Sequence, residues 1–203
     1  GCTMSNVIGV VNYGIAGNIH SVVKALDKIG ANSLVISSPE QLEQVDKIVI
    51  PGVGSFKDAM AELKNDRLLS PLIKSVRNKP TLGICLGMQI LSKIGFEFGQ
   101  SPGLGLFDAE VRRVLCSGAV PHMGFNEISV QKPSDLLVGV EDQSFYFMHS
   151  YEVVNYTDVL ALSRYCGHQF VSAIAKDHIF GVQFHPEKSR EPGLEVFKNF
   201  VGL

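Results

Sequence analysis

A chain of 203 residues, 45% hydrophobic and 19% charged, has the composition of a globular protein and length enough for one sizeable core. Its formal net charge of −2, with lysines and arginines scattered rather than striped, offers no basic surface to nucleic acid or to an anionic membrane. No apolar run approaches the roughly 20 residues of a membrane-spanning helix, and no secretory leader is visible, so neither partner is expected.

Gly1-Cys2-Thr3 ahead of Met4 reads as a non-native remnant, and one domain is expected over residues 4–203. Val7–Val11 is a short apolar strand. Ile19, Val22, Val23, Leu26 and Ile29 recur at helical spacing, and Gly30 ends that helix. A strand over 33–36 follows, then a short helix opened by Ser38-Pro39 with Gln41. Strand Lys47–Ile50, helices over 55–63 and 70–77, strand Thr81–Ile84 and a helix after Cys85 complete the first half. This alternation predicts a parallel sheet covered on both faces. From about residue 105 strands predominate, with candidates at 109–115, 127–130, 144–148, 159–163, 171–175 and 179–184, before a closing helix over 192–201. The expected fold class is therefore α/β, a three-layer arrangement of parallel central sheet with antiparallel additions.

Three motifs in this frame carry chemistry. The first is Gly83-Ile84-Cys85-Leu86-Gly87, where an apolar strand runs into Gly-x-Cys-x-Gly. This is the nucleophile-elbow pattern with cysteine for serine, a sharp strand-to-helix turn that needs small flanking residues. It would lift the sulfur to the sheet edge, at a helix N-terminus whose partial charge favours thiolate. The second is Gln183-Phe184-His185-Pro186-Glu187-Lys188. Proline holds the preceding residue extended, so His185 and Glu187, two apart, would project together, the carboxylate orienting the imidazole. Cys85, His185 and Glu187 then make a nucleophile, a base and an orienter. The third is Pro51-Gly52-Val53-Gly54-Ser55, a strand-to-helix turn with Ser55 and Asp58 as a capping box. Its glycines let backbone N–H groups of Gly52 and Gly54 approach a ligand, an oxyanion hole that the N–H of Leu86 would complete. No Gly-Lys-Ser/Thr follows, which excludes a Walker phosphate loop.

The other cysteines, Cys116 and Cys166 among them, show neither C-x-x-C nor zinc spacing, so no metal or cofactor is expected. Free thiols in an enzyme point to a reducing cytoplasm. His20, His168 and His178 read as surface or helix residues, and His149 as either structural or site-lining.

With these motifs in hand, the chain resembles the class I (triad) glutamine amidotransferases, a family with a flavodoxin-like fold. Within it the chain is most similar to the glutaminase subunits of imidazole glycerol phosphate synthases. The resemblance runs from about Val7 to the C-terminus. Besides the three motifs it rests on Asn12-Tyr13-Gly14 with Gly17-Asn18, Gly103-Leu104-Gly105, Val120-Pro121-His122-Met123-Gly124, and Tyr146-Phe147-Met148-His149-Ser150-Tyr151.

The resemblance implies hydrolysis of L-glutamine to glutamate and ammonia. The ammonia would pass through a channel to a (β/α)8 cyclase partner, forming a heterodimer, and enter histidine biosynthesis there. It also implies that Gln89, Glu97, Ser150 and Tyr151 hold the amino-acid end of glutamine. Asn18, His122, Met123, Tyr146 and Lys188 would lie towards the partner. The turn at Gly52 would rearrange before the oxyanion hole forms.

Two positions depart from the family pattern. The Asn12–Asn18 segment, with Asn12 where Asp is common, is one residue longer than usual, and Phe125 stands where tryptophan is common. Both fall on the expected partner side and leave room for a second reading, a paralogue feeding ammonia to another synthase, such as a sugar amidotransferase of surface-polysaccharide biosynthesis. A non-amidotransferase cysteine hydrolase would share the elbow but would not need Gln-Phe-His-Pro-Glu. A binding-only pseudoenzyme would not need an intact triad.

Overall fold

In the computed structural model, which describes residues 6–14 and 19–203, the first half forms alternating strands and helices. These are β1 (Val7–Val11), α1 (Ile19–Lys28), β2 (Asn32–Ile36), α2 (Pro39–Leu42), β3 (Lys47–Ile50), α3 (Phe56–Asn65), α4 (Leu69–Asn78), β4 (Thr81–Ile84) and α5 (Leu86–Ile90). The second half supplies β5 (Ser92–Gly95), β6 (Ser101–Pro102), β7 (Phe107–Arg113), β8 (His122–Glu127), β9 (Ser129–Val130), β10 (Ser144–His149) and β11 (Tyr151–Val154). It ends with β12 (Val159–Tyr165), β13 (His168–Lys176), β14 (Ile179–Val182) and α6 (Arg190–Val201).

The main sheet runs β2-β1-β3-β4-β14-β13-β12-β9. The pairs from β2 to β14 are parallel, and those from β14 to β9 antiparallel. Strands β3, β4 and β14 are buried at every position, as strands covered on both faces must be. One cover is α1 and α6, through Val22, Leu26, Phe197 and Phe200. The other is α3 and α4, through Phe56, Leu63, Leu72 and Val76. The apolar stripe of each helix thus meets one face of the sheet, giving the three layers anticipated.

Register explains where the chemistry collects. Ile50 pairs with Gly83, and Ile84 with Val182, so β3, β4 and β14 end side by side. The segments leaving them are Pro51-Gly52-Val53-Gly54, Cys85 and Gln183-Phe184-His185. Neighbouring carboxyl ends of parallel strands are where open α/β sheets place their ligands.

The antiparallel half differs from expectation at several points. It begins at Ser92, because α5 spans only five residues and passes directly into β5. No glycine or proline punctuates Gln89-Ile90-Leu91-Ser92, so nothing local announces that stop. β5, β6, β7 and β11 form a separate sheet, and β8 pairs with β10 in a two-stranded ribbon. The strand expected over 127–130 is two elements, and β11 follows β10 after a single residue, Ser150.

Candidate active site

Cys85 leaves β4 with φ 53° and ψ −109°, a left-handed conformation that non-glycine residues avoid. Gly87 makes the turn possible, since a Cβ there would lie 1.8 Å from the Ile50 carbonyl oxygen. The end of β3 therefore lies hard against the elbow. The Cys85 N–H is tied to the Val182 carbonyl at 2.8 Å, extending the β4–β14 pairing by one step. With only five residues in α5, little aligned peptide dipole accumulates behind the sulfur, so the elbow's electrostatics come mainly from individual neighbours.

His185 and Glu187 are brought to Cys85 by a different route from strand alternation. β14 stops at Val182, and Pro186–Lys188 form a 3₁₀ turn. That turn folds the Glu187 carboxylate back to 3.2 Å from His185 Nδ1, with both side chains fully buried. Nδ1–H is thereby committed to the carboxylate, leaving Nε2 for the sulfur. Ser189 fixes the turn, its hydroxyl donating to the His185 carbonyl at 2.6 Å and accepting the Tyr146 N–H at 2.9 Å. Burial alone disfavours the imidazolium. Cys85, through its charge and a side-chain hydrogen bond, together with Glu187 outweighs that penalty and pushes His185 up to about 10.

A cavity of about 250 Å³ opens over the sulfur, lined by Val53, Gly54, Leu86, Gln89, Glu97, Pro121, Met123, Met148, His149, Ser150 and Tyr151 around Cys85. A larger surface groove of about 600 Å³ runs along Pro39, Leu42, Lys74 and Lys79, but none of Cys85, His185 and Glu187 lines it. Glu97 accepts the Phe56 N–H at 3.3 Å, and burial raises its carboxyl above the usual range, partly offset by that N–H. Ser55 caps α3, its hydroxyl accepting the Asp58 N–H at 3.1 Å.

The turn at Gly52 carries a specific conformation. The Gly52 carbonyl accepts the Leu86 N–H at 3.3 Å. A peptide group is planar and trans, so the N–H opposite that carbonyl belongs to Val53. Val53, not singled out from sequence, is thus the residue whose N–H would replace the Gly52 oxygen if this peptide turned over. Gly52 has φ 150°, and a Cβ on it would sit 2.0 Å from the Tyr13 hydroxyl. Tyr13, fully buried, donates that hydroxyl to the Pro51 carbonyl and so anchors the turn's first residue. Burial, and secondarily Cys85, raise the phenol far above its ordinary range, which keeps it a donor.

The residues expected towards a partner divide. Met123 is exposed, and Lys188 Nζ lies 6.0 Å from the Tyr146 ring. Phe125, also exposed, packs 5.7 Å from Tyr146 and 5.0 Å below the Arg190 guanidinium. His122 is instead buried, stacked on Tyr165 and Phe147, because alternation along β8 turns it away from Met123 and Phe125. Asn18 lies outside the described residues, as do Ile15, Ala16 and Gly17. His168 has a particular partner, the buried Glu152 carboxylate at 2.5 Å, and His178 contacts the Val76 carbonyl at 2.8 Å.

His149 faces the cavity from the core side. Its Nδ1 donates to the Tyr151 carbonyl at 3.0 Å, and its Nε2 receives His122 Nδ1–H at 3.1 Å. Burial first, then the charges of His122 and His185, lower it to about 4 against the opposing pull of the Tyr151 carbonyl. A depressed histidine contributes full stability above its unfolded value near 6.5 and loses it as pH falls towards 4. Acidification across that window should cost on the order of 3 kcal/mol from this residue. His122, also depressed by burial, adds in the same direction. His149→Gln can keep both hydrogen bonds without charging. Urea melts at pH 7 and pH 4.5 should show a markedly smaller acid loss for it than for the parent chain.

The family profile described as glutamine amidotransferase class-I matches residues 10–202. Among curated relatives, an imidazole glycerol phosphate synthase subunit HisH of Desulfitobacterium hafniense is 44% identical over 197 residues, covering 96% of this chain and 93% of its own. The subunit HisH 1 of Campylobacter jejuni is 42% identical over 202 residues, covering 97% and 100%. Among solved structures, one described as PurLQS from Thermotoga maritima superposes with a TM-score of 0.79 at 19% identity, covering 98% of this chain and 99% of that one, a likeness of fold. With a profile spanning nearly its whole length and relatives above 40% identity end to end, the chain belongs to the class I glutamine amidotransferases.

Proposed function

We propose that this chain is the glutaminase subunit of an imidazole glycerol phosphate synthase, hydrolysing L-glutamine and delivering ammonia to a (β/α)8 cyclase partner in the histidine pathway of the cytoplasm. The observation that carries the chemistry is Cys85 at a strained elbow, with the buried His185–Glu187 pair behind it and a cavity in front. The end-to-end similarity to HisH subunits supports the pathway.

The steps follow from these positions. The Cys85 thiolate attacks the amide carbon of glutamine, forming a C–S bond. The C–N bond breaks, and ammonia leaves with the proton that His185 held. Water then gives a proton to His185 and adds to the thioester, and the C–S bond breaks with its electron pair returning to sulfur. In each tetrahedral stage the oxyanion needs donors, from Leu86 and from the 52–54 turn once its peptide has turned over. Gln89, Glu97, Ser150 and Tyr151 line the cavity and would hold the glutamine's amino-acid end, the Glu97 carboxylate suiting its ammonium. Met123 is exposed and lines the cavity, and the exposed Phe125, Lys188 and Arg190 gather with the half-buried Tyr146, a surface that suits a partner receiving ammonia without loss.

One observation favours the paralogue reading. Three relatives bear numbered names, HisH 1 of two Campylobacter jejuni strains and HisH 2 of Pseudomonas aeruginosa. Reconstitution with candidate synthases distinguishes the two. Glutamine-dependent formation of imidazole glycerol phosphate with the cyclase is the expected result. Ammonia delivery only to a sugar-modifying synthase would replace the pathway assignment and keep the glutaminase.

A further inference from the structure

Gln183 follows β14 directly and is fully buried between Gln89 and Cys85. One end of its carboxamide lies 3.5 Å from Cys85 Sγ, the other 3.1 Å from the Gln89 carboxamide. Oxygen and nitrogen of an amide are nearly indistinguishable by shape, so the neighbours must say which end faces sulfur. They leave one answer. The Tyr151 carbonyl can only accept, so the Gln89 atom 3.1 Å from it is the NH₂ nitrogen. That same nitrogen lies 3.1 Å from Gln183, which must therefore present its oxygen there. The Gln183 NH₂ is left pointing at the sulfur. The Tyr151 carbonyl is itself held by His149 Nδ1–H, whose ring is held by His122, so the orientation is braced from the core.

Besides His185, the sulfur has the Met148 carbonyl at 3.7 Å, an acceptor that offers nothing to a negative sulfur. Gln183 opposes it with a donor. We infer that Gln183 is a further catalytic residue, its carboxamide N–H donating to Cys85 sulfur and stabilising negative charge there, with Gln89 as the positioning residue that sets its orientation. Charge resides on sulfur twice in the cycle, before attack and again when the thioester bond breaks, so one donor serves both half-reactions. The inference rests on Cys85 being the nucleophile of the proposed glutaminase.

Two substitutions in the full chain separate this role from packing. Gln183→Met keeps the length and removes the donor. Gln183→Glu keeps the size and the acceptor for Gln89 but sets an oxygen against the sulfur. The measurement is the rate at which iodoacetamide alkylates Cys85 between pH 5 and 10, located by mass spectrometry, beside glutamine turnover in the complex with the synthase partner. At pH 7 alkylation should slow about tenfold in Gln183→Met, the scale of one hydrogen bond to a charged group, and more in Gln183→Glu. The alkylation profile of both should move to higher pH, and kcat should fall by a similar factor with KM changed far less. An unmoved profile in either folded variant, even with reduced turnover, would overturn the inference and leave Gln183 a packing residue. Should Gln183→Met not fold, Gln183→Glu decides alone, because it retains the Gln89 bond. Alkylation is read without glutamine, so a chain that never hydrolysed glutamine would sink the proposed function and leave this result standing.

Discussion

Cys85→Ala should abolish glutamine-dependent synthesis by the assembled complex, by roughly 10⁶-fold in kcat, while synthesis from added ammonium salt continues at the parent rate. The first half follows from the elbow, where Cys85 is the one thiol among the described residues that line the cavity. The second follows from the division of labour, since the partner's chemistry needs ammonia and not the cysteine. His185→Ala should cost about as much, and the double replacement no more than either alone, because a nucleophile and its base act as one unit. Glu187→Gln should cost less, roughly 10⁴-fold, since the carboxylate orients the imidazole and transfers no proton. A glutamine-analogue electrophile provides the complementary readout. Cys116 and the exposed Cys166 are also free thiols, so labelling mapped to either of them instead of Cys85 would refute the nucleophile.

The isolated chain should hydrolyse glutamine slowly, and addition of its synthase partner with acceptor bound should raise kcat by about 10²–10³, the worth of an oxyanion-hole donor. The Leu86 N–H that would bind the oxyanion already donates to the Gly52 carbonyl. An incoming oxyanion would therefore meet a carbonyl dipole of the wrong sign. Turning over one peptide removes that oxygen, frees Leu86 and presents the Val53 N–H. Two anchors bracket the moving piece: Tyr13 on Pro51 ahead of it, and Glu97 on Phe56 after it. The rotation is thus confined to residues 52–55, and glycine at 52 gives it backbone freedom. A partner stabilises the active form only by binding it more tightly than the resting form, and 10²–10³ corresponds to about 3–4 kcal/mol of such preference. Steady-state kinetics on the lone chain and the reconstituted pair test this directly. Full activity without a partner would refute the resting block.

Where apolar runs are short and punctuated, sequence and structure agree closely: Val7–Val11, Lys47–Ile50 and Thr81–Ile84 are strands with the bounds read from sequence. The elbow was legible because its glycines answer to local backbone crowding. What was hidden depended on contacts between distant segments. Gln89 and Gln183 lie 94 positions apart and His122 and His149 27 apart, and only the β4–β14 and β8–β10 registers bring them together. His122 and Met123, both expected on the partner side, are divided by strand alternation, which buries the first and exposes the second. Glu187 reaches His185 through a 3₁₀ turn where proline suggested a continued strand. Val53 left no side-chain signal, because what it contributes is a backbone N–H.

Cys85 stands at the junction of the molecule's two cores: its own side chain packs with the α1–α6 layer, while Leu86 and Met88 just after it pack with the α3–α4 layer. The left-handed φ at Cys85 stores on the order of 1–3 kcal/mol that a relaxed loop would release, and it persists because both layers close around it. Function and robustness therefore pull in opposite directions at this one residue. A lineage that abandoned the reaction would be free to drift towards a glycine or a relaxed turn at 85 and would gain thermal endurance by doing so. The strained cysteine at the junction of two cores is thus a cost in stability that catalysis, and not packing, accounts for.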